Sequence, residues 1–180
     1  MTDTLEQRLA AVEAELAIRN LIVRYSLVMD DRDVDAIPGL FTKNARVWTG
    51  DGVMDACGRD DLVKLYEGRF AMLGATSHIV HGTLIEIDGP KKAHGVVTST
   101  AEVWRNGTHQ LASLRYNDIY EVEDGAWRIA GREMLYFYYV PLSEYPGVLG
   151  TIQRNRTYDE PMEADFPEKT AGFIKYLATH

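Results

Sequence analysis

The sequence predicts an α+β domain in which helices come first and an antiparallel meander follows. Two observations carry this. From the N-terminus to Leu73 the apolar residues recur at helical spacing around short breaks, and from His78 onward they fall in long strand-like runs. Those runs are punctuated by Gly89-Pro90, Asn106-Gly107 and Asp124-Gly125, of which Asn-Gly and Asp-Gly are the strongest short hairpin signals. Helices first and a meander afterwards make an α+β domain.

Thr4 and Gln7 fit a capping box for the first helix. Leu5, Leu9, Val12 and Leu16 then repeat at 4-3-4 spacing, a narrow seam like that of a coiled coil. After Leu16 the apolar face broadens to Ile18, Leu21, Ile22, Tyr25, Val28 and Met29, as in a helix packed on a sheet. The first half is therefore a candidate subunit contact, with docking on the same subunit as the alternative. Asp33 is placed to cap a short helix limited by Pro38 and Gly39. A brief strand is expected at Ala45 to Thr49, then a turn at Gly50-Asp51-Gly52 and a return through Val53 to Ala56. Asp60 to Leu73 reads as a third helix ending at Gly74. The strands that follow are His78–Asp88, Ala93–Arg105, Thr108–Glu123 and Ala126–Tyr138. Residues 140 to 180 are irregular and carry four prolines, with a short helix from Glu168 to Leu177. The chain thus reads as a domain over 1–140 and an extension over 141–180, packed on the same domain or on a neighbouring subunit. That extension is too apolar for a disordered tail. A cover over a pocket mouth or against a neighbouring subunit is the favoured reading, and a strap outside the sheet is the alternative.

A length of 180 residues suffices for one domain with a substantial core. The net charge of −8 argues against nucleic acid or an anionic membrane as partner, since both select basic surfaces. No apolar run approaches the eighteen or so residues of a membrane span, and the charged N-terminal stretch is unlike a secretory signal. The lone Cys57 excludes an internal disulfide and fits a reducing cytoplasm. It lies beside Gly58 and reads as structural or incidental. The histidines show no metal-binding spacing, so neither a metal nor a cofactor is expected.

Candidate chemistry gathers on a few side chains. Tyr25 shares a helix face with Ile18, Ile22 and Met29, and Asp30 sits at its edge. Asp30, Asp31 and Asp33 crowd a helix C-terminus, where the macrodipole favours positive charge, so at least one has a task other than stability. His78 and His81 lie three apart in a strand and face opposite sides unless Gly82 marks a bulge. Arg132, on the last strand with Ala130 and Met134, has three candidate tasks: orienting Asp30, binding an anionic substrate group, or pairing with Asp118. A hydroxyl, a carboxylate, an imidazole and a guanidinium are what a small pocket needs to move a proton.

The stretch RYSLVMDDRDVDAIPGLFTKNARV resembles the first-helix signature of the SnoaL-like group of the nuclear transport factor two-like (cystatin-like) superfamily. TSHIVHGTLIEIDG resembles the segment carrying that group's catalytic histidine, in a register that selects His78 over His81. YEVEDGAWRIAGRE resembles its final hairpin. The resemblance implies a cone: a strongly curved antiparallel sheet wrapped around the N-terminal helices, with a mostly apolar pocket between them. Scytalone dehydratase, bile acid 7α-dehydratase and hexachlorocyclohexane dehydrochlorinase are the enzyme relatives it implies. It makes Asp30 and His78 a catalytic dyad, matches Tyr25 to the bile acid dehydratase's tyrosine, and sets Arg132 where the dehydrochlorinase has its active-site arginine. Departures are as informative. The second histidine of scytalone dehydratase falls near Val103, and the bile acid enzyme's aspartate and arginine fall near Ala101 and Tyr136. Dyad chemistry is therefore expected without any of those three substrates.

The function expected is a cofactor-independent lyase of the dehydratase type, acting on a small hydrophobic cyclic molecule. An isomerase or polyketide cyclase needs nearly the same groups. A non-catalytic ligand-binding or oligomerisation module is the alternative of another class. A homo-oligomer, trimer or dimer, is expected.

Overall fold

The computed structural model describes residues 4–158 and 160–180. Helix α1 spans Leu5–Asp31, and Thr4 and Gln7 close the capping box reciprocally at 2.8 and 3.2 Å. It ends at Arg32, whose left-handed backbone (φ 55°) lets its N–H return to the Val28 carbonyl. A single turn at Val34–Ala36, capped by the Asp33 side chain, leads into α2 at Ile37–Leu40. Pro38 therefore opens α2 rather than limiting it, because a first-turn residue needs no hydrogen-bonded N–H.

Strands β1 (Phe41–Thr49) and β2 (Asp55–Cys57) precede α3 (Arg59–Met72). Then come β3 (Leu73–Gly89), β4 (Lys92–Arg105), β5 (Thr108–Glu123) and β6 (Ala126–Pro141). The sheet order is β2-β1-β6-β5-β4-β3. Both residues of Asn106-Gly107 and of Asp124-Gly125 have positive φ, between 52° and 75°, the mirror-image turn whose twist matches the strands it joins. One expectation needs correcting. The sheet is mixed, because β1 runs parallel to β6, with Val47 opposite Arg132 and Thr49 opposite Met134. Local patterning marks a strand but not the direction of a neighbour that arrives five strands later. β3 also begins directly after α3, so His78 lies within the strand rather than opening it.

The concave face packs on α1 and α3. Ile18, Ile22, Tyr25 and Met29 of α1 and Leu62 and Tyr66 of α3 are buried against Val97, Tyr116, Met134 and Tyr136 of the sheet. The first-half seam of α1 stays outside, with Leu5, Leu9, Val12 and Leu16 at 77, 55, 54 and 57% exposure. No helix among the described residues is long and apolar enough to cross a membrane.

Beyond Met134, β6 outruns β1 and leaves an open edge. The C-terminal segment fills it. Tyr139 donates its N–H to the Arg154 carbonyl at 2.9 Å and accepts from Arg156 N–H at 2.6 Å. Buried Arg154 bonds the carbonyls of Phe137 and Phe166 and pairs with Glu168. The last helix, α4, runs Ala171–Thr179, later than expected because the Thr170 side chain caps it. None of the described residues of 141–180 borders the cavity described next.

Candidate active site

A cavity opens between the concave sheet and the two long helices. Its volume is about 70 Å³, room for roughly five waters. Tyr25 and Met29 of α1 with its cap Arg32, Tyr66, Arg69 and Phe70 of α3, Met54, and inward residues of β3 to β6 form its wall. Apolar side chains dominate it, as in small-molecule sites generally.

His78 borders this cavity, and Asp30 stands behind it. The Asp30 carboxylate meets the imidazole Nδ1 at 2.6 Å and accepts the His78 backbone N–H at 2.7 Å. Thr76 donates its hydroxyl to the same carboxylate at 2.8 Å. These contacts follow from the strand period: Thr76 and His78 point inward together, toward the end of α1. Burial works to raise the Asp30 carboxyl, but the hydrogen bonds from the His78 ring and backbone and from Thr76 outweigh it, and the group titrates below its ordinary value. An ionised carboxylate on Nδ1 fixes the tautomer with its proton there and leaves the Nε2 lone pair free. His81 does not share the site. A bulge between Val80 and Gly82 resets the strand after His81, whose ring turns outward to Thr100 at 2.9 Å.

Tyr25 is buried in the cavity wall, and its hydroxyl lies 3.0 Å from that of Tyr66. Two hydroxyls that share one hydrogen bond keep one O–H to donate elsewhere. Burial, and then the neighbouring Tyr25 hydroxyl, hold Tyr66 well above the usual tyrosine range, so it stays a donor. Sequence reasoning missed Tyr66. The available signal was Leu62, Tyr66 and Phe70 at i, i+4, i+8 on α3.

Arg132 lies apart from Asp30 and His78. It is fully buried beneath the cavity, paired with Asp118 at 2.8 and 2.6 Å, and Tyr120 donates to the same carboxylate at 2.7 Å. Of the three tasks considered, the pairing with Asp118 is the one formed. The guanidinium carbon sits 4.1 Å from the Tyr25 ring centre and 4.4 Å from that of Tyr116, so the cation supports both rings from below. Burial would lower Arg132, but the Asp118 charge and hydrogen bonds raise it well above its ordinary value.

Residues 10–133 match the SnoaL-like domain, and the chain belongs to that family. Its structure is similar to a scytalone dehydratase-like protein from Novosphingobium aromaticivorans (TM-score 0.70, 20% identity, 90% of this chain and 97% of that one). It is similar also to the hexachlorocyclohexane dehydrochlorinase LinA-type3 from Novosphingobium barchaimii (0.69, 17%, 76% and 94%). A third is an NTF2-like protein with a cystatin-like fold from Novosphingobium aromaticivorans (0.61, 22%, 76% and 92%). At these identities the likeness establishes the fold. No curated protein matches the sequence.

Proposed function

We propose that this protein is a cofactor-independent lyase of the dehydratase type, with His78 as general base. One observation carries the reading: Asp30 holds Nδ1 at 2.6 Å while His78 borders a largely apolar cavity. Nε2 takes a proton from a carbon next to an electron-withdrawing group. The C–H electron pair becomes the new double bond as the neighbouring C–O bond breaks. The departing hydroxide keeps that bond's electrons and receives the proton back from the imidazolium, leaving as water. Asp30 stabilises the imidazolium meanwhile. The free O–H of the Tyr25–Tyr66 pair holds the carbonyl or the departing hydroxyl. Arg132 is a positioning residue that acts through the Tyr25 ring. A proton-shuttling isomerase or a polyketide cyclase draws on the same base and differs only in where the proton goes next.

The small apolar cavity fits a compact cyclic ligand, and two of the similar structures bear the names of elimination enzymes, a dehydratase and a dehydrochlorinase. The exposed Leu5/Leu9/Val12/Leu16 seam supports a homo-oligomer, trimer or dimer, and a monomer mass by light scattering at micromolar concentration would overturn that part.

The test needs no knowledge of the leaving group. Cyclic ketones and β-hydroxy carbonyl compounds are incubated with the protein in D₂O, and loss of the α C–H signal is followed by NMR. The wild type is expected to exchange at least one compound, and His78→Ala to abolish this with the fold intact. Binding without exchange would return the protein to the binding-module class, and exchange that survives His78→Ala would place the base elsewhere.

A further inference from the structure

His78 lines one side of the cavity, and the same wall carries a charge that the proposed base does not use. Arg69, in the last turn of α3, borders the cavity. Its Nη1 donates to the Met54 thioether at 3.1 Å, and among the described residues no carboxylate pairs with it. A thioether is a weak acceptor, so a guanidinium with five N–H donors is left largely unanswered. Arg32 also borders the cavity, but its guanidinium is tied to the Leu73 and Gly74 carbonyls. Arg69 has no such anchor.

A second unanswered group lies on that wall. Tyr139 is 3% exposed and borders the cavity, and its hydroxyl has no partner among the described residues. The sheet register puts it in line with the base: His78 pairs with Ala101, Ala101 with Ala112, and Ala112 with Tyr139. Two alanines between two polar ends leave an open floor. Three interstrand steps of about 4.8 Å make that floor roughly 14 Å wide at the backbone.

A planar two-oxygen anion has the chemistry both groups lack, an acceptor for the guanidinium and another for the tyrosine hydroxyl. We propose that the ligand of this cavity carries a carboxylate, held by Arg69 and Tyr139. The proposal rests on the reading of His78 as the base of this cavity and narrows its substrate class to small cyclic acids. Burial pulls Arg69 down, yet the surrounding tyrosines, Tyr136 and Tyr139 foremost, raise it, so the charge persists at every working pH.

The probes are trans-cinnamate and its neutral counterpart trans-cinnamamide, titrated calorimetrically into the full chain. Cinnamate is expected to bind about tenfold more tightly than the amide, the scale of one charge-assisted hydrogen-bonded contact. Arg69→Met is expected to remove that preference, and Tyr139→Phe to reduce it. Without ligand, Arg69→Met is expected to unfold at the same temperature as wild type or higher, since it replaces an unpaired charge with an apolar chain. His78→Ala is expected to keep the cinnamate preference even where it loses deuterium exchange, which separates failure of this proposal from failure of the base. Equal affinity for the two probes, a preference that survives Arg69→Met, or no binding of either would overturn it. A clear loss of thermal stability in Arg69→Met would also overturn it, because the arginine would then be structural.

Discussion

Asp30 with His78 and Asp118 with Arg132 both join a carboxylate to a basic side chain at 2.6 Å, yet their surroundings differ in kind. The first keeps 19 and 20% of its side-chain surface exposed, at a cavity wall. The second keeps none. An imidazole can take up and release a proton, whereas a guanidinium stays charged at every working pH. Each carboxylate is also answered differently. Asp30 accepts from a backbone N–H and from Thr76, contacts that orient it on the ring, while Asp118 accepts from Tyr120 and from Nε and Nη2 of the arginine. The contrast teaches that such a pair's chemistry is set by the proton it can release and by the space beside it. One pair is arranged to move a proton, and the other holds two aromatic rings in place.

That division can be broken by exchanging the perturbations. Asp118→Asn should bring the largest change in stability. It leaves Arg132 charged, buried and half-answered, which costs on the order of 3–5 kcal/mol, and thermal denaturation should show a fall of roughly 6–20 °C for a chain of this size. Asp30→Asn should do the reverse, lowering proton exchange by about a hundredfold or more with a fall in stability of only about 1–2 kcal/mol. The pH dependence sharpens the same point. Asp30 is depressed in the folded state, so its contribution is complete above its unfolded value near 4 and drains as pH falls through the lower folded value. The stability gap between wild type and Asp30→Asn should hold at neutral pH and close in acid, and a gap unchanged at pH 2 would contradict it. The smallest effect belongs to His81→Ala, expected to leave exchange within about twofold and stability within about 0.5 kcal/mol. A loss at His81 comparable to that at His78 would reverse the assignment of the two histidines.

Much of this was legible in the residues. The hairpin dipeptides placed the meander because positive φ at both turn positions is a local requirement. The carboxylates at the end of α1 stood out because they oppose the macrodipole there, and one of them proved to face His78. What depended on distant partners was not legible. The parallel pairing of β1 with β6, the burial of Arg132 on Asp118, and the strap along the free edge of β6 all depend on contacts far apart in the chain. Tyr66 and Arg69 were missed for a related reason. α3 alternates buried and exposed positions weakly, and only its docking on the sheet turns those two side chains to the cavity.

The most direct test of the central claim is the protonation of the His78 ring, read from ¹⁵N chemical shifts of the labelled protein across pH 6 to 9. The Asp30 contact predicts that the neutral imidazole carries its proton on Nδ1 and leaves Nε2 bare. It also predicts that Asp30→Asn disturbs this tautomer while Asp118→Asn, in the fraction that stays folded, does not. A proton found on Nε2 in the neutral wild-type ring would contradict the account, because the nitrogen assigned to take a proton would already hold one.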